Sequence, residues 1–193
     1  MQFEKKVLKG KLVQLEPLRK EHKEGLENVV RDGELWKLFV TIVPHIDEIN
    51  TFIENAKSEY ESGFGITYAI LDIKSNKVVG STRLRATDFK HKKTEIGFTF
   101  LASSWQKSYV NTEAKLLLLS YIFEEMAFNR VEFMTDFLNH SSRNAILRLG
   151  AKEEGVLRNH IIMKNGRVRD SVVFSIIKNE WGGVKEHLQF KLD

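Results

Sequence analysis

The sequence predicts a single mixed α/β domain spanning residues 1–193. Two observations carry that expectation. Hydrophobic periods follow one another as strand, two helices, three strands, helix, strand, helix and hairpin, so both kinds of period are interleaved along the chain. The passage from 94 to 137 reads strand, helix, strand, and a crossover of that length sets two parallel or near-parallel strands side by side.

Each element has its own warrant. "KLVQLEPL" (11–18) sets Leu12, Val13 and Leu15 among polar residues and stops at a proline, as a strand does. A helix is expected over about 20–31 and another over 46–62, where Ile46, Ile49, Phe52, Ile53 and Ala56 recur at helical spacing. Asp47 and Glu48 in its first turn complement the helix dipole. Strands follow over 65–73, 77–86 and 94–102, with Ser75-Asn76 in the first turn and the basic run "KHKK" (90–93) in the second. A helix over 112–127 opens on Asn111-Thr112-Glu113, and a strand follows over 130–137. A short helix spans about 141–149 and closes at Gly150. The last two β-rich runs flank Asn165-Gly166, a strong hairpin signal.

Composition narrows the function classes. The chain has no cysteine, which excludes disulfides, thiolate metal sites and cysteine nucleophiles and fits a reducing compartment. No apolar run reaches the roughly 18 residues of a membrane span, and the N-terminus lacks the apolar core of a signal peptide. The expectation is a cytoplasmic protein with no membrane partner and no metal. The net charge of +4 would suit a nucleic-acid binder, but the basic residues are dispersed and no helix-turn-helix or aromatic-basic stacking motif is present. No nucleic-acid partner is expected.

Three stretches carry chemistry. In "TEIGFTF" a strand period sets Ile96, Phe98 and Phe100 on one face and Glu95, Gly97 and Thr99 on the other. Small residues beside a carboxylate leave room for something other than protein, although a solvated sheet face explains Glu95 more simply. "SSWQKSYVN" then leads from this strand into a helix start, where backbone amides and the helix dipole favour an anion. It carries neither the glycines of a dinucleotide fingerprint nor the Gly-Lys-Ser/Thr of a nucleoside-triphosphate loop. In "DFLNHSSRNAILRLGA", Asn139, Ser141 and Ser142 stand before an apolar helix, where N-caps stand.

Over roughly 10–180 the order and wording resemble the GCN5-related N-acetyltransferases (GNAT), and within them the RimJ/RimL-like ribosomal-protein alanine acetyltransferases. The resemblance is densest in "TEIGFTFLASSWQKSYVNTEAKLLLLSYIFE", "NRVEFMTDFLNHSSRNAILRLGAKEEGVLR" and "GRVRDSVVFSII". It implies a mixed sheet with a splayed central strand pair, 94–101 and 130–137, and flanking helices. The pantetheine arm of the cosubstrate acetyl-CoA would lie in the gap against the main chain of Phe98, Thr99 and Phe100. The family's pyrophosphate loop, Q/R-x-x-G-x-G/A, falls on Gln106-Lys107-Ser108-Tyr109-Val110-Asn111, followed by Thr112. Both glycine positions are replaced. Asn111 tolerates a left-handed backbone, whereas Tyr109 either crowds the phosphates or turns outward, and Lys107 adds a positive charge.

By the same resemblance Asn139 lies near the pantetheine, Ser142 serves the thioester sulfur or merely caps its helix, and Glu95 acts on the incoming amine. The implied activity is acetyl-CoA-dependent N-acetyl transfer by direct attack, without a metal. The acceptor would be a small-molecule amine or a protein N-terminus, and a homodimer is a candidate assembly. Arg83, Arg85, Arg167 and Arg169 would line the acceptor cleft, against the plainer reading of exposed strand positions; His160 reads as a polar strand residue. The rival is a non-catalytic acyl-CoA-binding or interaction module of the same fold.

Overall fold

The computed structural model describes residues 3–193. One sheet contains β1 (Leu8–Lys9), β2 (Val13–Pro17), β3 (Ile66–Asp72), β4 (Lys77–Asp88), β5 (Lys93–Leu101), β6 (Arg130–Asp136), β7 (Lys152–Ile162) and β8 (Val168–Ile177). Their order is β1-β2-β3-β4-β5-β6-β8-β7. All neighbours are antiparallel except β5 and β6. The helices are α1 (Lys23–Arg31), α2 (Ile49–Glu61), α3 (Tyr109–Ser120), α4 (His140–Leu147) and α5 (Trp181–Phe190).

The helices divide between the two faces of the sheet. Val110, Ala114 and Leu118 of α3 share the larger core with Ile96, Val131 and Phe174, and α5 adds Trp181, Val184 and Leu188. On the other face Leu26 and Val30 of α1 and Ile49 and Ile53 of α2 meet Phe100 and Ala102. Because β3 is buried along its whole length, its sequence is nearly continuous in apolar residues. β1 and α5 were not anticipated. β1 has two residues, too short for a period, but the spacing of Trp181, Val184 and Leu188 is helical and was there to be read.

Two features of the central strands matter for function. Pairing between β5 and β6 is confined to Lys93↔Arg130, Thr94↔Val131 and Glu95↔Glu132. Past Glu95 the two parallel strands diverge, and the β6-side backbone edge of β5 has no strand partner among the described residues. On its other edge β5 shifts register against β4 between Ser81 and Arg83, and Phe98 takes φ 48°. This is a bulge, and a bulge breaks alternation. Ile96 packs with α3, yet Phe98 lies against Arg83, which pairs with Glu59 of α2, and Phe100 packs with α2. The expected partition of 95–100 into two strictly alternating faces therefore fails at Phe98: Glu95, Phe98 and Phe100 share the α1/α2 side, and Thr99 turns toward α3.

Candidate active site

Glu95 stands at the point where β5 and β6 part. It is 7% exposed, and the Arg85 guanidinium on β4 donates to its Oε2 at 2.9 Å. Burial pushes its carboxyl above the usual range, with adjacent Glu132 acting the same way, while Arg85 opposes the shift. The result is a carboxylate that is a better proton acceptor than an exposed one. Gly97 leaves room beside it: a Cβ there would come within 2.6 Å of Glu95 Oε1 and make the carboxylate shift.

Arginines surround this carboxylate on the α1/α2 side. Arg83 pairs with Glu59 of α2 at 2.8 Å, and its guanidinium lies 4.9 Å from the Phe98 ring centroid, with Arg85 at 5.2 Å. Across the gap, Arg167 is ion-paired with buried Asp136 at the end of β6 and donates to the Phe39 carbonyl at 3.2 Å. Arg169 follows it on β8, with Nε 2.9 Å from Ser171 Oγ. Arg83 and Arg169 are 9% and 7% exposed, so the reading of exposed strand positions does not hold for them. His160 remains an exposed strand residue, 3.0 Å from Ser171 Oγ.

The loop between β5 and α3 ends at Ser108, which caps the helix: its Oγ accepts from the Val110 amide at 3.3 Å and donates to the Trp105 carbonyl at 2.7 Å. The helix thus starts at Tyr109, three residues before the expected position. At such a start the amides of Ser108, Tyr109, Val110 and Asn111 have no i−4 acceptor, which makes this the anion-attracting end. Thr112 is the first residue past that set, and its side chain, like that of Val110, is buried. The left-handed residue is Lys107, at φ 59°, so the tolerance of Asn111 for that conformation is not used. Gln106 folds back, donating from Nε2 to the Leu101 carbonyl at 3.2 Å.

Tyr109 turns away from the gap. Its hydroxyl donates to Asp72 Oδ1 at 2.6 Å, and its ring meets Trp105 edge-on at 6.3 Å. Asp72 closes β3, which lies on the β4 side of β5, opposite to β6. The tyrosine in the first glycine position is therefore moored outside the space that the strands leave open.

A sheet that opens beside a buried carboxylate and a helix start matches what comparison with known proteins finds. The model of the acetyltransferase (GNAT) domain matches residues 13–152. The chain belongs to the GNAT acetyltransferase family. A Bacillus subtilis protein named "Putative ribosomal N-acetyltransferase YdaF" is 32% identical over 135 residues, 70% of this chain and 72% of the relative. A GCN5-related N-acetyltransferase structure from Brucella melitensis superposes with a TM-score of 0.88 at 29% identity, covering 100% of this chain and 88% of the other. Mycobacterium smegmatis RimJ, solved with a CoA-disulfide, shares the fold with a TM-score of 0.80 at 19% identity, covering 96% and 91% of the two chains. The protein is an N-acetyltransferase, and a non-catalytic module of the same fold is not favoured.

In this GNAT chain the N-x-x-S pair divides its duties. Asn139 caps α4, its Oδ1 accepting from the Ser142 amide at 3.0 Å. Ser142 is not the cap. It is half-buried, and its hydroxyl has no partner among the described residues. Asn139→Ala is expected to cost about 0.5–2 kcal/mol of folding free energy and Ser142→Ala much less, as urea denaturation of the two variants will read.

One buried group escaped the sequence reading. Lys115 of α3 is 4% exposed and donates to Thr99 Oγ1 at 2.7 Å and Thr82 Oγ1 at 3.1 Å, with the two hydroxyls 2.8 Å apart. Burial alone pulls its amine down to about 7. The signal was the position of Lys115 inside the apolar stripe of Ala114, Leu118 and Leu119, where helical spacing leaves no solvent-facing place for it. Among the described residues there is no cluster of three or more metal-ligating side chains, and no helix is long and apolar enough to cross a membrane.

Proposed function

We propose that the protein transfers the acetyl group of acetyl-CoA to a primary amine bound on the α1/α2 side of the sheet, and that Glu95 is the general base. The observation that carries this reading is the coincidence at one point of the strand divergence and the buried carboxylate. Acetyl-CoA supplies the acetyl group as an activated thioester. The chain's donors suit it: the unpaired edge of β5 at Phe98, Thr99 and Phe100 offers main-chain groups to an amide-rich arm, and the amides of Ser108–Asn111 with Lys107 offer positive potential to a pyrophosphate. Asn139 stands near the arm.

An α-amine has an unperturbed pKa of about 7.7–8.0 and a lysine about 10.4, so the reactive neutral form is a minority at neutral pH. Glu95, directly or through a water, takes the proton. Backbone N–H groups along the open β5 edge meet developing negative charge on oxygen, and the free Ser142 hydroxyl donates to the departing thiolate. The acceptor is a protein N-terminus or a small amine, and the site of action is the cytoplasm. The name of the ribosomal relative favours a protein N-terminus.

A thermal melt tests the cosubstrate. Acetyl-CoA at a hundred times its dissociation constant adds about 2.7 kcal/mol of stability, so the melting temperature should rise, and pantetheine without phosphates should raise it far less. Tyr109→Gly should leave the affinity for acetyl-CoA nearly unchanged while lowering stability, because the tyrosine is moored to Asp72 and the glycine adds unfolded-state entropy. A large gain in affinity in that variant would mean that Tyr109 crowds the phosphates.

A further inference from the structure

Four arginines stand on the acceptor side of the sheet, and three of them have a carboxylate. Arg83 has Glu59, Arg85 has Glu95 and Arg167 has Asp136. Arg169 has none. Among the described residues its one hydrogen bond runs from Nε to a serine hydroxyl, although the residue is only 7% exposed. Its two terminal nitrogens have no protein partner among the described residues, yet they are absent from the sealed, unpaired polar atoms, which include the Nε of Arg83 and of Arg167. They therefore keep some contact with solvent. Asp136 lies opposite Ser171 in the β6–β8 register, so Arg169, two residues earlier on the same face of β8, stands just past the end of β6, and Asp136 and Glu95 both act on its guanidinium.

A guanidinium this little exposed, its fork reaching the solvent it keeps and free of any protein partner among the described residues, is set to receive one, and the partner that fits two parallel N–H groups is a carboxylate. The need sharpens in the reaction: once Glu95 holds the amine's proton, Arg85 loses its counter-charge as well. We propose that the acceptor carries a carboxylate close to its reactive amine and that Arg169 binds it, making this residue a specificity determinant. The inference rests on the acetyl-transfer reading of the site. The carboxylate has two sources, the α-carboxylate of a free amino acid or an acidic side chain within the first two residues of a peptide.

The test uses matched acceptors: peptides with Glu or Gln at the first or second position, and glutamate beside its α-amide. With acetyl-CoA, wild-type kcat/KM should favour the carboxylate member of at least one set by about 10- to 100-fold, the range of a charge-assisted hydrogen bond. Which set responds identifies the source. Arg169→Gln should bring that ratio to within about twofold and Arg169→Lys should restore part of it, with the acetyl-CoA melting shift unchanged in both. Equal kcat/KM for acid and amide in every set overturns the proposal, as does loss of the acetyl-CoA shift in Arg169→Gln, which would assign the arginine to the cosubstrate. Calorimetric binding of the same peptides separates this idea from the catalytic one. Carboxylate-selective binding that vanishes in Arg169→Gln, without any transfer, sinks the general-base reading and sustains this one; binding without selectivity sinks this one.

Discussion

Glu95→Gln is expected to lower turnover by roughly 10²–10⁴-fold at neutral pH while the melting shift with acetyl-CoA stays within error of wild type. Glutamine keeps the shape and can still face Arg85 through its carbonyl oxygen, so the fold has little reason to respond; what it loses is the ability to accept a proton. The pH profile is the decisive measurement. Since burial holds the Glu95 carboxyl above the ordinary carboxylate range, the acid limb of wild-type kcat/KM should lie above that range. Arg85 pulls the other way, so Arg85→Gln should move the limb to still higher pH. In Glu95→Gln the deficit should shrink as the pH approaches the amine's own pKa, where the neutral form no longer needs a base. A deficit that stays constant up to pH 10, or full activity at pH 7, removes Glu95 from the role.

The second large effect belongs to Lys115 and concerns stability. In the unfolded chain its amine titrates near the ordinary 10.5; in the folded chain burial brings it to about 7. Below pH 7 both states carry the proton and the full cost of burying a cation is present. Between about 7 and 10.5 the unfolded state binds more protons than the folded one, so this group makes stability rise with pH, at up to about 1.4 kcal/mol per pH unit. Lys115→Met removes the titration but keeps the length of the side chain, and Thr82 and Thr99 still bond to each other. The variant should be more stable than wild type at pH 6–7 by several kcal/mol at most, with the advantage shrinking steadily toward pH 10. Denaturant melts of both proteins at pH 6, 8 and 10 read this directly. An advantage that does not change with pH would mean that the buried amine keeps an ordinary pKa in the folded chain.

These two residues show where the sequence was legible. Glu95 could be singled out because a lone carboxylate stood beside Gly97 in a strand otherwise full of bulky groups. Lys115 was passed over because a lysine within a helix is ordinarily solvated; only the stripe it interrupts marked it. The break in strand alternation at Phe98 is hidden for a different reason. A bulge inserts one residue into the period, and the φ of 48° that accommodates it falls on a phenylalanine, a residue that gives no local hint of a left-handed backbone. In the loop before α3 the missing glycines are likewise a misleading signal. The left-handed position there is Lys107, and Tyr109 finds its partner in Asp72, 37 residues earlier.

The sequence by itself determined the elements from β2 to β8, their order and the class of fold. Those depend on hydrophobic periods of two and 3.6, on Gly150 and Asn165-Gly166 as stops and turns, and on interactions between residues close along the chain. The pattern of residues over roughly 10–180, densest over 94–124, 129–158 and 166–177, also carried the family. What only the tertiary structure decided was which charges meet. Arg85 reaches Glu95 because β4 and β5 pair in that register, Arg167 reaches Asp136 because β8 lies against β6, and Arg169 is left over because β6 ends two residues short of it. Charge pairing across a sheet is fixed by strand order and register, which follow from burying one face of each strand in a shared core, and no segment read alone contains that information.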